Sequence, residues 1–386
     1  FSFEVRAFPR PRPMFILSDD LREKLKKTPS GKCGRYSITR AGLSKIFPKL
    51  LSIAKEERGF EGEDFTSHDC AALFQGRSWK NGRWADEKEP KLQFHPMDKF
   101  PELFSDKMPD RMISYTWARF RLISDLFRFI DESEIVAPPS ASEEPTYWLD
   151  ILFNDQNTPD IKLYLSIADG LYSAAQWHFA FLYGGMLSRA WCNAEIVTRF
   201  LAALQALELW KEGQDRTDAI IKGGELLQEG SPAFTTFVTV QGLTSLGMDV
   251  FNDGSSMYGG IDRFGTMQAF DAKDKEEIKR RALEVFVTPE AFNFAMVVVR
   301  NAVISRYSDQ HPEDAHSRRL KDVCCGGLLA SAAECGDTGA VVRLAEARPD
   351  EVNRGNQTGA TPLYQASRNG HTEAVRALLA AGADVT

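Results

Sequence analysis

The period of the apolar positions changes along this chain, and the changes divide it into strands and helices. Trp177 to Tyr183 is an apolar run without polar alternation, closed by Gly184-Gly185. A run of that kind predicts the central strand of a parallel sheet, buried on both faces. Met112–Trp117 and Tyr147–Phe153 predict two more strands. Between the first two, Leu122, Ile123, Leu126, Phe127, Phe129 and Ile130 recur at helical spacing. A second helix is predicted over 160–175, with Leu163, Leu165, Ile167 and Leu171 as its apolar positions. The order βαβαβ predicts an α/β fold, a parallel sheet with helices on both faces.

The flanks are harder to read. After the third strand a helix is expected from about Cys192, which sets Glu195 in its first turn. Strands are expected over 234–241 and 263–270, and helices over 274–286 and 289–304, the last capped by Thr288. The glycine-rich stretch 252–265 lacks the Lys-Ser or Lys-Thr of a phosphate loop and does not open a helix after a strand, so it reads as a connector. Before the first strand, helical periodicity covers 19–27 and 37–57, and Phe8-Pro9-Arg10-Pro11-Arg12-Pro13 predicts an extended arm.

The carboxyl end repeats itself at a separation of 34 positions. Leu329, Ala332, Gly336, Val341 and Leu344 fall on Leu363, Ala366, Gly370, Val375 and Leu378. With Gly359-Ala360-Thr361-Pro362-Leu363 before the second helix pair, this pattern resembles ankyrin repeats, helix pairs that stack through their Leu and Ala positions. The resemblance implies protein partners, and makes His371 a residue of the repeat pattern rather than a metal ligand.

Composition fits a chain with real cores: 386 residues, 43% hydrophobic and 26% charged. No apolar run approaches the roughly 18–20 residues of a membrane helix. The six cysteines form no CxxC pair, which points to free thiols and an intracellular, cytoplasmic setting. Net charge is −7, but the stretch 21–55 carries ten Lys or Arg against Glu23 alone. Such a cluster reads either as a solvated helix face or as a surface for an anionic partner. His68-Asp69-Cys70 has no second ligand pair near it and reads as a chance cluster, so no metal site is expected.

Chemistry concentrates after the three strands. Ser188, Trp191, Cys192 and Glu195, together with Ser114 and Tyr115 in the first strand and Asp150 in the second, occur in an order that resembles the Toll/interleukin receptor (TIR) domain. The resemblance implies a flavodoxin-like parallel sheet with flanking helices. In enzymatic members the glutamate at this place cleaves the bond between nicotinamide and ribose in NAD, so the resemblance makes Glu195 the catalytic candidate and NAD the substrate. A single carboxylate suits that chemistry, because nicotinamide leaves without a general acid and the barrier lies in an oxocarbenium-like ribose. Ser114, Tyr115, Trp117, Asp150 and Asp155 are the expected binding residues, with the aromatic rings stacking on nicotinamide or adenine. His178 and Cys192 read as core residues, and Trp191 as an anchor for the helix start.

Three regions are expected: a basic, mixed segment over 1–110, a TIR-like domain over 111–308, and repeats over 323–386. Two functions remain open. One is an NAD-cleaving signalling enzyme that self-associates through the TIR-like domain; the other is a non-catalytic adaptor or scaffold using the same regions for protein contacts.

Overall fold

The computed structural model describes residues 18–86, 92–117, 120–139, 144–154, 156–157, 161–183, 185–186, 189–211, 216–228, 231, 233–240, 244, 263–267, 272–324 and 326–385. It contains two compact units. One is Pro9–Met186 with Thr235–Thr244, the other Leu187–Phe234 with Ser245–Thr386.

The first unit is built on a six-stranded sheet. Its helices start where polar caps meet apolar stripes. α1 (Asp19–Leu25) is capped by Ser18, and α2 (Pro29–Cys33) by Thr28 with Pro29 at its first position. β1 (Ser37–Thr39) runs into α3 (Arg40–Arg58), which buries Leu43, Ile46, Phe47, Leu50 and Ile53 and stops at Gly59, φ 73°. α4 (Ser67–Phe74) opens with a capping box between Thr66 and Asp69. β2 (Ser78–Lys80) and β3 (Arg83–Ala85) form a hairpin whose Asn81-Gly82 turn has φ of 51° and 75°. That pair is the strongest short hairpin signal a sequence carries. It went unread because flanking strands of three residues show no periodicity.

α5 (Pro96–Lys99), β4 (Phe104–Ser105), β5 (Arg111–Ser114), α6 (Leu126–Val136), β6 (Thr146–Trp148), α7 (Asp150–Phe153), α8 (Ile161–Ala174), β7 (Trp177–Phe181) and β8 (Thr235–Val238) complete the unit. The strand order is β4-β1-β6-β5-β7-β8. β6, β5, β7 and β8 are parallel, whereas β1 lies antiparallel to both β4 and β6. The sheet is therefore mixed, not purely parallel, and two of its strands come from the first 110 residues. Its core joins Ile38, Phe47 and Leu50 to Met112, Ile113, Phe129, Phe179 and Phe181.

Three expected strands are corrected. The run 147–153 is strand only to Trp148; Leu149 is extended, and Asp150–Phe153 turn into the short α7. An unbroken apolar run cannot distinguish a buried strand from a buried helical turn. The first strand ends at Ser114, short of Trp117. Arg263–Thr266 is helical, its Phe264 amide bonded to Asn293 Oδ1 at 2.8 Å, so tertiary contact overrides its strand-like composition.

The second unit is helical. α9 (Ala190–Ala206), α10 (Thr217–Gln228), α11 (Arg263–Thr266), α12 (Ala272–Phe286), α13 (Pro289–Gln310) and α14 (Ala315–Cys324) precede two helix pairs. The pairs are α15 (Leu328–Cys335) with α16 (Thr338–Ala347), and α17 (Pro362–Arg368) with α18 (Thr372–Ala380). Thr288 caps α13, as its position predicts. The stacking runs through three layers. α13 packs on α15 and α15 on α17, while α10 packs on α16 and α16 on α18. α10 and α13 also pack on each other, so two helices from outside the repeat pattern supply a further layer. Leu329, Ala332, Val341, Leu344, Leu363, Ala366 and Leu378 are buried between the layers.

Candidate functional site

In the sheet unit, polar side chains gather at the carboxyl ends of β5 and β6, adjacent parallel strands. Asp150 begins α7 directly after β6, and Tyr115 and Trp117 follow β5. Trp117 Nε1 donates to Asp150 Oδ2 at 2.8 Å, and the Ile151 amide donates to Oδ1 at 2.7 Å. Tyr115 is also hydrogen-bonded to this carboxyl. Its hydroxyl lies 2.8 Å from Ser67 Oγ in the first turn of α4. His68, next along α4, sets its ring against Trp117, centroids 5.8 Å apart and planes at 78°. Tyr115 and Ser67 are buried; Asp150, Trp117 and His68 are half-buried. Burial pushes the Asp150 carboxyl up to about 6, against the opposing pull of its hydrogen bonds. The same burial, reinforced by Asp150, raises the Tyr115 phenol well above its usual range.

The expected binding residues divide accordingly. Trp117 and Asp150 meet, with Tyr115 beneath them. The Tyr115 ring is buried and packs on Phe120 at 5.1 Å, so its face is covered. Ser114 points elsewhere: its hydroxyl lies 2.7 Å from His178 Nε2, and His178 Nδ1 lies 2.9 Å from Thr235 Oγ1. His178 is thus a fully buried, satisfied core histidine linking β5, β7 and β8. Asp155 and Ser188 lie outside the described residues.

Glu195 belongs to the helical unit. α9 begins at Ala190, so Glu195 stands in the second turn rather than the first, and is half-buried. Trp191 Nε1 donates to Asp274 Oδ2 at 3.3 Å, tying α9 to α12. Cys192 is buried and a free thiol.

Ser67 was missed by sequence reasoning and His68 was read as part of a chance cluster, since α4 precedes Asp150 by some eighty positions and only the fold brings them together. The neighbours of His68 have separate duties. Asp69 Oδ1 accepts from Trp84 Nε1 at 2.8 Å while Oδ2 closes the capping box, and Cys70 is fully buried. Among the described residues no group of three or more His, Cys, Asp or Glu could hold a metal ion, and no single helix is long and apolar enough to cross a membrane. In the basic stretch, Lys24, Lys26, Arg40 and Lys55 are paired with Asp20, Glu23, Asp131 and Glu134, and Glu63 respectively.

In the helical unit the repeat geometry is specific. α15 ends at Gly336 in the left-handed region, φ 75°, and Gly370 takes φ 76° just past α17. His371 Nε2 and Asn369 Nδ2 both reach the Glu334 carbonyl, at 2.9 and 3.1 Å, which joins one helix pair to the next. Residues 310–386 match a family model described as ankyrin repeats (3 copies). The carboxyl-terminal segment carries ankyrin repeats. The ankyrin match begins at the end of α13 and takes in α14 and both helix pairs. No curated protein and no solved structure matches the chain. Ankyrin repeats stack into surfaces for protein–protein interaction, and that is the function these residues carry.

Proposed function

We propose that this chain is a scaffold or adaptor that docks a protein partner on its ankyrin array, with α10 and α13 acting as the array's amino-terminal cap. The observation that carries this reading is the continuous stacking of α13, α15 and α17. A repeat array needs a covered end, and α10 with α13 covers one. Exposed on the array are Tyr364 and, one turn on, Arg368. Tyr and Arg are the side chains that most often anchor protein interfaces. A photo-crosslinking residue placed at position 364 is expected to capture discrete partners in cells, and one at the exposed Ile135 of the sheet unit is not. Equal capture from both positions, or none from 364, removes the reading.

A second reading follows from the strand order. In chain order the parallel strands lie second-first-third-fourth, which favours the flavodoxin-like arrangement, where ligands bind at the carboxyl ends of strands beside the reversal. Joined to the TIR resemblance, this leaves NAD cleavage by a self-associating chain as the second reading, in which Glu195, a residue of the helical unit, is the carboxylate through that resemblance alone. Its test is nicotinamide release from NAD by the chain and by Glu195→Ala, at concentrations that allow association. Release by the wild type alone supports it; no release, or equal release by both, removes it.

A further inference from the structure

The cluster at the ends of β5 and β6 is organised as a floor and a rim. Tyr115 and Ser67 are the buried floor. Asp150, Trp117 and His68 form the rim, and each is only partly buried. The carboxylate is fixed from both sides, by Trp117 Nε1 on Oδ2 and by the Ile151 amide on Oδ1. Every one of its donors is neutral. Among the described residues no Lys or Arg pairs with Asp150, whereas Glu134, Asp131 and Glu63 in the same unit have cationic partners and Asp69 and Asp125, like Asp150, are held by neutral donors.

A carboxylate partly withdrawn from water, with no countercharge among the described residues, costs free energy that an arriving cation removes. Indole is also the best aromatic surface for a cation, and here it is oriented by the carboxylate itself. An anion would be repelled from this rim. A neutral acceptor would find only a carboxyl whose donors already point inward.

We propose that Asp150, Trp117 and His68 form a binding site for a small organic cation of the ammonium type, with the charge against the Asp150 carboxylate and the alkyl groups against the Trp117 ring. The site is independent of the docking reading above, since it lies in the sheet unit. Among the described residues the titratable groups facing it are few. From α4 come His68, Asp69, which is engaged by Thr66 and Trp84, and Cys70, which is fully buried; from the segment after β5 comes Tyr115. Protonating either Asp150 or His68 works against a bound cation, so both push the pH dependence the same way. Burial already holds the carboxyl up to about 6, which places the loss of binding in the mildly acidic range.

The test uses tetramethylammonium chloride as probe, with sodium chloride matching the ionic strength and tert-butanol as the neutral isostere. It follows the indole N–H resonance of Trp117, assigned through Trp117→Phe. We expect a saturable shift at pH 8 with tetramethylammonium and none with tert-butanol. Binding weakens by about tenfold per pH unit below the Asp150 titration. Asp150→Asn should abolish binding, read by calorimetry beside a near-ultraviolet spectrum that checks the fold. His68→Gln, read by calorimetry, should weaken binding without abolishing it and leave a pH profile set by Asp150 alone. Trp117→Phe, read by calorimetry, leaves the carboxylate in place and should weaken binding without abolishing it. Equal response to tert-butanol, binding that survives Asp150→Asn, affinity that rises toward low pH, or no shift at any probe concentration overturns the proposal.

Discussion

Arg300 and Glu334 lock α13 to α15. The guanidinium, 3% exposed, donates through Nη1 and Nη2 to the two carboxylate oxygens at 3.1 and 2.9 Å, and its Nε donates to Asn301 Oδ1. Asn301 in turn bonds Ser331 Oγ at 3.0 Å. Because the pair is planar, bidentate and withdrawn from water, its two halves are not equivalent to a surface ion pair. Glu334→Ala leaves a buried cation uncompensated and should destabilise the helical unit by about 3 kcal/mol. The double change Arg300→Met with Glu334→Leu should cost much less, because no charge is then stranded. Denaturant unfolding of the wild type and the two variants decides it; a double variant as unstable as the single would show that the pair itself, not the stranded charge, matters.

Asp150 makes the sheet unit pH-dependent. Its folded carboxyl titrates near 6 against an ordinary value of 3.8, so between roughly pH 4 and 6 the native state binds more protons than the unfolded one. Stability from this group is therefore greatest below pH 4 and is lost as pH rises to about 6, up to about 3 kcal/mol in all. Asp150→Asn should remove that slope and raise the melting temperature at pH 7. A slope unchanged in Asp150→Asn would assign it to another group.

The parallel centre of the sheet was legible because each strand is an apolar run separated from the next by a helix-period stretch. β1 and β4 were not, since strands of three and two residues carry no period and their pairing is fixed only by α3 and the turn before β4. The repeats were legible through spacing, but their cap was not: α13 is buried along most of its length and so has no amphipathic stripe to reveal which neighbour it faces. At the site, Trp117 and Asp150 were named through the TIR resemblance, with Asp150 inside an expected strand rather than at its end. Their chemistry was not legible, because the Asp150 environment includes Ser67 and His68 from α4, which only folding supplies.

Gly336 is fixed twice over. Its φ of 75° favours glycine, and a Cβ there would lie 2.4 Å from the His371 Nδ1 atom. Gly336→Ala should destabilise the array by about 2 kcal/mol or more, combining the left-handed penalty with displacement of His371 from the Glu334 carbonyl. In the background of His371→Ala, which removes the clash, the cost should fall to the backbone part of about 1 kcal/mol. Thermal unfolding of the single and double variants separates the two contributions. Equal costs in both backgrounds would mean that the ring moves aside freely.

Val287, between α12 and α13, is a β-branched residue at φ 66° with 72% of its surface exposed. Such a backbone is disfavoured for any L-residue and most for a branched one, by about 1–2 kcal/mol. The corner persists because the neighbouring hydrogen bonds hold it: the Val287 amide reaches the Leu283 carbonyl at 2.9 Å, the Thr288 amide reaches that of Phe286 at 2.8 Å, and Thr288 then caps α13. The side chain lies mostly in solvent, so its burial does not repay the strain. Val287→Gly should therefore stabilise the helical unit, by about 0.5–1 kcal/mol once the greater freedom of glycine in the unfolded chain is subtracted. Val287→Ala should change stability less, since it keeps the Cβ that clashes, and Thr288→Ala should lower it by about 1 kcal/mol through loss of the cap. If Val287→Gly lowers the melting temperature instead, the corner is held by contacts of the valine side chain and not by the hydrogen bonds around it.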